Sequence, residues 1–283
     1  MDIQSNLSSG TSSIEEIAKF AEQLGFSSIV ICDAWESPQK LQELKEKIAE
    51  VQKLVKVEII PGVKIEAGTI SELKRSIEQA REKAVIIAVA GGDYEINRAA
   101  CEDSRVDFLA HPEFNRRDNG LDEVCLHAAS KNDVAIEVNF RELLSTYKRT
   151  RTYNLEKIAT NIRLCQNLGV KIVASSGAQS AWEMRDPREL VSIVNILGVE
   201  LGSSFATVSD IPNAIIDKNK RKLGGKVIAD GVEVVEAKDN MTAPQSGAQV
   251  DYVHRAVDSS QPAAKNNMSG TNFTKPKEGD QNA

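Results

Sequence analysis

What the chain lacks narrows it first. It has four cysteines and three histidines among 283 residues. Cys32, Cys101, Cys125 and Cys165 are scattered, with no Cys-x-x-Cys pair and no ligand-like spacing. Isolated cysteines in apolar stretches are mostly core residues, and a cytosolic chain has no reason to pair them. His111, His127 and His254 are too few for a multinuclear zinc centre, which draws on several histidines. No apolar run approaches the roughly 18 residues of a membrane span. The opening residues carry neither a basic nor an apolar leader, so a cytoplasmic protein without membrane contact is expected. No Gly-x-Gly-x-x-Gly follows the first strand-like run, which leaves dinucleotide binding without support. Cations are not in excess either: 35 Lys and Arg stand against 41 Asp and Glu, a net charge of −6. That is the wrong sign for binding nucleic acid over the whole surface, so any RNA partner must be met by a local patch.

What is present is a repeated pattern. Short runs rich in Val and Ile occur at 28–32, 57–60, 84–89, 106–110, 135–138 and 170–174. Their length and composition predict parallel strands covered on both faces. Amphipathic stretches lie between them. Ile14, Ile17, Ala18, Ala21 and Leu24 share one helical face and stop at Gly25. Further helices are expected over about 38–54, after Thr69, and over about 154–168. About seven or eight strand-helix units fit, which favours a single (β/α) TIM-like barrel of α/β class over about 1–222. In such a barrel, functional groups follow the strands' C-terminal ends. The positions to watch are Asp33-Ala34-Trp35, 64–68, Gly91-Gly92-Asp93, His111-Pro112, Asn139-Phe140-Arg141 and Ser175-Ser176-Gly177. The stretch from Val191 to Leu201 is apolar nearly all round, which means burial or an interface, with burial the safer expectation. Residues 223–237 read as a short extension of uncertain structure. From 238 to 283 the chain is Ser, Gln, Asn, Gly, Pro and Lys with few apolar residues, so a disordered tail is expected.

Several segments together carry a resemblance. Met1-Asp2-Ile3-Gln4-Ser5-Asn6 and the stretch from Ile14 to Trp35 resemble the start of the polymerase-and-histidinol-phosphatase barrels, which open Asp-x-His-x-His. More closely, the region 1–222 resembles the archaeal ribonuclease P protein component 3 family, a barrel branch of that superfamily. The match rests on Ser104–Pro112, on Ala135–Phe140 with the basic loop behind it, and on Lys171–Ala178 followed by Met184–Leu190. Carried over position by position, the metal site is mostly gone. Gln4 and Asn6 stand in the histidine slots, Ala34 follows Asp33, Lys64 stands near an expected carboxylate, and Ser176 and Ala178 fill the late Asp and His slots. Asp33, Glu66, His111 and Glu137 remain as candidate remnants, and a nearby lysine opposes a cation.

The resemblance implies a subunit of ribonuclease P, the RNA enzyme that removes the 5′ leader from precursor transfer RNA. This chain would supply no catalytic residue and hold no cofactor tightly. The RNA subunit would use Mg2+, and component 2 and other protein subunits would be partners. The candidate RNA face comprises Arg116 and Arg117, then Arg141, Lys148, Arg149 and Arg151 with Tyr147 and Tyr153 interleaved, then Lys218 and Arg221. A solvated loop and a dipole-favoured helix end explain the same cations without RNA. Arg185 beside the Ser175-Ser176 turn would suit a phosphate, or an internal ion pair equally well. Two other functions stay open: a stand-alone metal-dependent phosphoesterase using Asp33, Glu66, His111 and Glu137, and a barrel holding a phosphorylated metabolite through Ser175, Ser176 and Arg185.

Overall fold

The computed structural model describes residues 2–4, 10–225, 227–229 and 232–233, with side chains over 10–225. The chain alternates strand and helix: β1 (Asp2–Gln4), α1 (Ile14–Gln23), β2 (Ser28–Ala34), α2 (Pro38–Val51), β3 (Glu58–Ile65) and α3 (Ile70–Arg81). Then come β4 (Ile86–Ala90), α4 (Tyr94–Cys101), β5 (Phe108–Ala110), α5 (Glu123–Asn132) and β6 (Ala135–Asn139). After these follow α6 (Arg141–Leu144), α7 (Lys148–Leu168), β7 (Ile172–Ser175), α8 (Pro187–Ile196), α9 (Leu201–Ala206) and α10 (Asp210–Leu223). Contacts divide the chain after Val227. Beyond α10, Val227–Ala229 and Val232–Glu233 pair as a separate two-stranded sheet, and the expected disordered tail over 238–283 lies outside the described residues.

Among the described residues, seven strands form one all-parallel sheet in the order β1 to β7. Each expected run falls in a strand, and β1 adds a seventh. The sheet curls until its first and last strands approach each other. Side chains alternate along β2 to β7, so two apolar layers form. Val30, Cys32, Ile60, Ile86, Ala88, Phe108, Ala110, Ala135 and Val173 point inward. Ile29, Ile31, Ile59, Val63, Ile87, Val89, Leu109, Ile136 and Ile172 point outward into the helical shell. At the seam, the edge N–H of Ala174 in β7 donates to Thr207 O (3.1 Å), so the end of α9 covers the free edge.

The helices start where the residues dictate. Ser13 and Glu16 form a capping box on α1, and Asp186, Pro187 and Glu189 do the same for α8. Two boundaries differ from expectation. β3 continues four residues past Pro61, because Gly62 is the only size that fits: a Cβ there would lie 2.7 Å from Cys32 Sγ. Lys64, expected on a loop, therefore sits inside a strand. α7 starts at Lys148 and not near Asn154, so the basic segment is helix and not loop. Its N-cap, Tyr147, makes no side-chain cap bond and its first turn holds no acid, so no start signal marks it in the sequence.

One end of the barrel is closed by α10. Ile215 and Ile216 enter the inner layer. The Asn219 side-chain amide donates to Asp107 Oδ1 (2.7 Å), while Ile87 N–H and Arg81 donate to Oδ2 at 2.7 and 2.9 Å. Lys218 pairs with Asp133 and Lys220 with Glu58, both beside strand beginnings. Since all strands run one way, this floor is the N-terminal end and the mouth lies opposite. No helix of the described residues is long and apolar enough to cross a membrane.

Two outcomes are expected. Asn219→Ala leaves Asp107 short of a partner and lowers stability by about 1–3 kcal/mol. Faster amide exchange should appear in α10 first; uniform exchange would remove Asn219 as the floor's latch. The second concerns Glu113, buried against β6 and α7 with its Oε1 unpartnered. Burial pushes its carboxyl from 4.5 up to about 8. Between those values the folded chain keeps a proton that the unfolded chain releases, so stability falls as pH rises through that window. Glu113→Gln should melt like the parent at pH 5 and be more stable by a few kcal/mol near pH 8. Parallel melting curves across that range would refute this.

Candidate functional site

The mouth is built by the last inward positions of the strands. Lys64 of β3, Glu137 and Asn139 of β6, and the residues that follow β5 and β7 surround one cavity. His111, Arg141, Glu142, Gly177 and Gln179 complete its wall. Glu137 is buried and held on both oxygens: Ser175 Oγ donates to Oε1 (2.5 Å) and Asn139 Nδ2 to Oε2 (3.2 Å). Burial pushes its carboxyl upward, opposed first by those two bonds and then by Lys64. Glu142 is also pushed up by burial, against Arg141 and Lys64. Gly177 sits with φ +59°, and a Cβ there would strike the Asn139 amide at 2.1 Å. The turn after β7 and the end of β6 therefore interlock.

His111 follows β5 with its backbone in the left-handed region, φ +34°. Its ring meets Phe114 edge-on at 5.2 Å, and its buried Nδ1 has no hydrogen-bond partner. Burial and the Lys64 ammonium pull its imidazole down to about 4, so it is neutral at ordinary pH. Lys64 itself pairs with Glu66 at 3.1 Å. The mouth thus contains a fixed cation facing buried carboxylates.

Of the four candidate remnants, the structure brings only His111 and Glu137 into this cavity. Asp33 is out of phase: Cys32 faces the mouth, whereas Asp33 lines an outer depression with Trp35, Lys40 and Leu41. Glu66 is largely exposed and turned to Lys64. Among the described residues no three His, Cys, Asp or Glu side chains converge to hold a metal ion. Gln4 lies in β1 and Asn6 lies outside the described residues. Ser175 and Ser176 are fully buried, and Arg185 donates to Met184 O (2.7 Å) and Trp182 O while stacking over Phe140 at 5.2 Å. These three are committed to the fold and do not form an open phosphate cradle. Glu142, missed in the sequence, reaches the cavity because the single turn of α6 folds it back under the mouth.

The candidate cations separate into two sets. Arg116 is locked to Asp118 and to Gly92 O. Arg141 donates to Gln179 (2.8 Å) and Glu183 (3.3 Å). Lys218 belongs to the floor, and Arg221, on the same helix, donates to Asp217 O. By contrast Arg117, Lys148, Arg149 and Arg151 are exposed and make no ion pair among the described residues. Arg149 lies over Tyr153 and bonds its hydroxyl (2.7 Å), Arg151 bonds Thr146 O (2.7 Å), and Lys148 lies near the Tyr147 ring. Lys157 ties this helix to the Arg116 loop by bonding Arg116 O. Three cations on the first turn of a 21-residue helix oppose the helix dipole, a local cost with no compensating acid in that turn.

Known proteins resemble this chain along nearly the whole barrel. The family model described as RNase P subunit p30 matches residues 1–223. Ribonuclease P protein component 3 of Methanothermobacter thermautotrophicus is 31% identical over 216 residues, covering 76% of this chain and 87% of the relative. Its counterpart from Methanosarcina mazei is 30% identical over 230 residues, covering 81% and 92%. A chain in the cryo-EM structure of archaeal ribonuclease P with mature tRNA superposes with a TM-score of 0.72 at 27% identity, covering 84% of this chain and 100% of that one. The curled parallel sheet, its helical shell and the match across 1–223 lead to one conclusion: this chain belongs to the RNase P subunit p30 family.

Proposed function

We propose that the chain supports the RNA-catalysed removal of the 5′ leader from precursor transfer RNA, as an architectural subunit of a cytoplasmic ribonuclease P. The family match carries this reading. The mouth agrees with it: Lys64 opposes a divalent cation among Glu137, Glu142 and His111, and the donor set among the described residues does not fit a metal-dependent phosphoesterase. We assign no nucleophile or general base to this chain. Mg2+ belongs to the RNA subunit in this account, and component 2 with other protein subunits completes the particle.

We assign the RNA face to the start of α7. Lys148, Arg149, Arg151 and Arg117 lack carboxylate partners among the described residues, so their charge is free to offset phosphate repulsion. Tyr147 and Tyr153 are exposed beside them and offer faces for unpaired bases. The floor lysines are left out, because Lys218 and Lys220 are neutralised by Asp133 and Glu58.

Reconstitution with the RNA subunit and protein partners tests this. Lys148→Ala/Arg149→Ala/Arg151→Ala should raise the Mg2+ needed for leader removal. It should also make the log–log salt dependence of RNA binding shallower by about 2. Unchanged magnesium and salt profiles would remove α7 from the RNA face. Phosphomonoester turnover by the purified chain with bound zinc or manganese would replace the proposal with the hydrolase.

A further inference from the structure

We propose that Trp182 is a stacking platform for an unpaired base of the ribonuclease P RNA, so that the RNA face continues from α7 across the rim of the mouth. This rests on the proposed role in a ribonucleoprotein and adds to it an aromatic base site on a different element.

Trp182 lies in the short 3-10 turn Ala181–Glu183 between β7 and α8. It is 84% exposed, more than any other large apolar side chain among the described residues. Tryptophan is usually well buried, and leaving one in water forfeits one of the largest apolar areas a side chain can hide. The turn that presents it is firmly held. Gln179 N–H donates to Glu183 (2.8 Å), Thr11 N–H to Gln179 O (2.9 Å), Ala181 N–H to Ser12 Oγ (3.2 Å) and Arg185 to Trp182 O (3.2 Å). Met184, two residues on, is buried in the outer core. Phe20 of α1 meets the indole at 6.0 Å between centroids with the rings tilted by 54°. That contact is not a stack, so an indole face stays open on a fixed backbone.

Trp182 is not the centre of an apolar patch on α8. The expectation that the stretch from Val191 to Leu201 is buried holds for Val191, Val194 and Val199 and fails for Ile196 and Leu201. Ile196, however, ends α8, about 14 Å along the helix from Pro187, where the turn of Trp182 leads in. The core of a protein interface needs several apolar side chains side by side, whereas a base needs one aromatic plane.

Charge also selects nucleic acid. The acids around the turn are engaged inside the fold. Glu183 takes Arg141 and Gln179 N–H, while Asp186 and Glu189 cap α8, set against its N–H groups and dipole. On α1, Glu16 caps the helix and Glu15 pairs with Lys19. Two cations are left over. Arg185 is held beside Trp182 by carbonyl oxygens and the Phe140 ring, with no carboxylate partner among the described residues. Arg188, exposed on the first turn of α8, makes no ion pair there either. An open aromatic plane beside two such guanidinium groups fits a nucleotide, with the base on the indole and its phosphate on Arg188. The turn is physically joined to the α7 face. Arg141, which opens α6, bonds Glu183 and Gln179, and Thr146, which follows α6, bonds Glu142 O and accepts from Arg151.

Tryptophan fluorescence reads the site directly, because the chain has two tryptophans and Trp35 packs against the core. The difference between the full chain and Trp182→Phe isolates the Trp182 emission. Adding the protein partners should leave that emission unchanged, and adding the ribonuclease P RNA should quench it strongly. Trp182→Ala should keep the parent melting temperature and weaken RNA binding about tenfold, with the log–log salt slope unchanged, because stacking releases no counterions. Trp182→Phe should bind within about twofold of the parent. Arg188→Ala should make the salt slope shallower by about 1. The proposal is overturned if bound RNA leaves the emission unchanged, if Trp182→Ala binds like the parent, or if Trp182→Phe loses as much as Trp182→Ala. It is also overturned if a protein subunit, or precursor tRNA only, quenches the indole. RNA that does not bind the assembled protein at all would sink the proposed function, whereas binding without quenching sinks only this site. Quenching that persists beside unchanged α7 profiles would remove α7 alone.

Discussion

The strict two-residue alternation of side chains around a curled parallel sheet is the constraint on which the other features depend. Every inward position must fit a shared interior, so Gly62, Ala88, Ala110 and Ala135 stand beside Phe108 and Ile86. The same alternation decides which polar groups meet. Lys64, Glu137, Asn139 and Ser175 are inward by register, and they meet at the mouth for the same reason that Val30 and Val173 meet below. Asp33, one residue out of phase with Cys32, is excluded from the mouth although its sequence position follows the strand's apolar run.

The two ends of the barrel then diverge physically. The floor is tied by ionic and hydrogen bonds, with Asp107 taking three donors from α3, β4 and α10. Lys218 and Lys220 are held there by carboxylates. At the mouth, the cavity is small and holds a lysine whose charge offsets buried carboxylates. Of the candidate RNA-face cations, Arg117, Lys148, Arg149 and Arg151, which make no ion pair among the described residues, lie outside the cavity, on the first turn of α7 and the loop after β5. A protein with net charge −6 can meet RNA only through such a segregated patch.

The fold was legible to the extent that it is local. Six Val- and Ile-rich runs marked six strands, and Gly25 and Gly169 marked two helix ends, because burial pattern and backbone sterics act within a few residues. β1 was not marked, since three residues carry too little pattern. The start of α7 was missed for a definite reason: a helix beginning on Tyr147 and a run of cations violates the capping and dipole preferences by which starts are recognised. The site was less legible. His111 and Glu137, read as possible metal-site remnants, and the strand-end Arg141 line the mouth cavity; so does Glu142, read only as an opposing charge, whereas Asp33, also read as a possible remnant, lines an outer depression.

Short-range periodicity was enough to mark the fold class and short motifs the resemblance to the family, since each of these is written within a few neighbouring positions. Which charges stay unpaired was settled by the folded arrangement. Arg116, Arg141 and Lys218 read like any other surface cations until Asp118, Glu183 and Asp133 are brought beside them. The exposed Arg117, Lys148, Arg149 and Arg151 acquire no such partner among the described residues. Whether a charge is paired or free depends on its distance in space from residues that are often far away in the chain, and folding alone sets that distance.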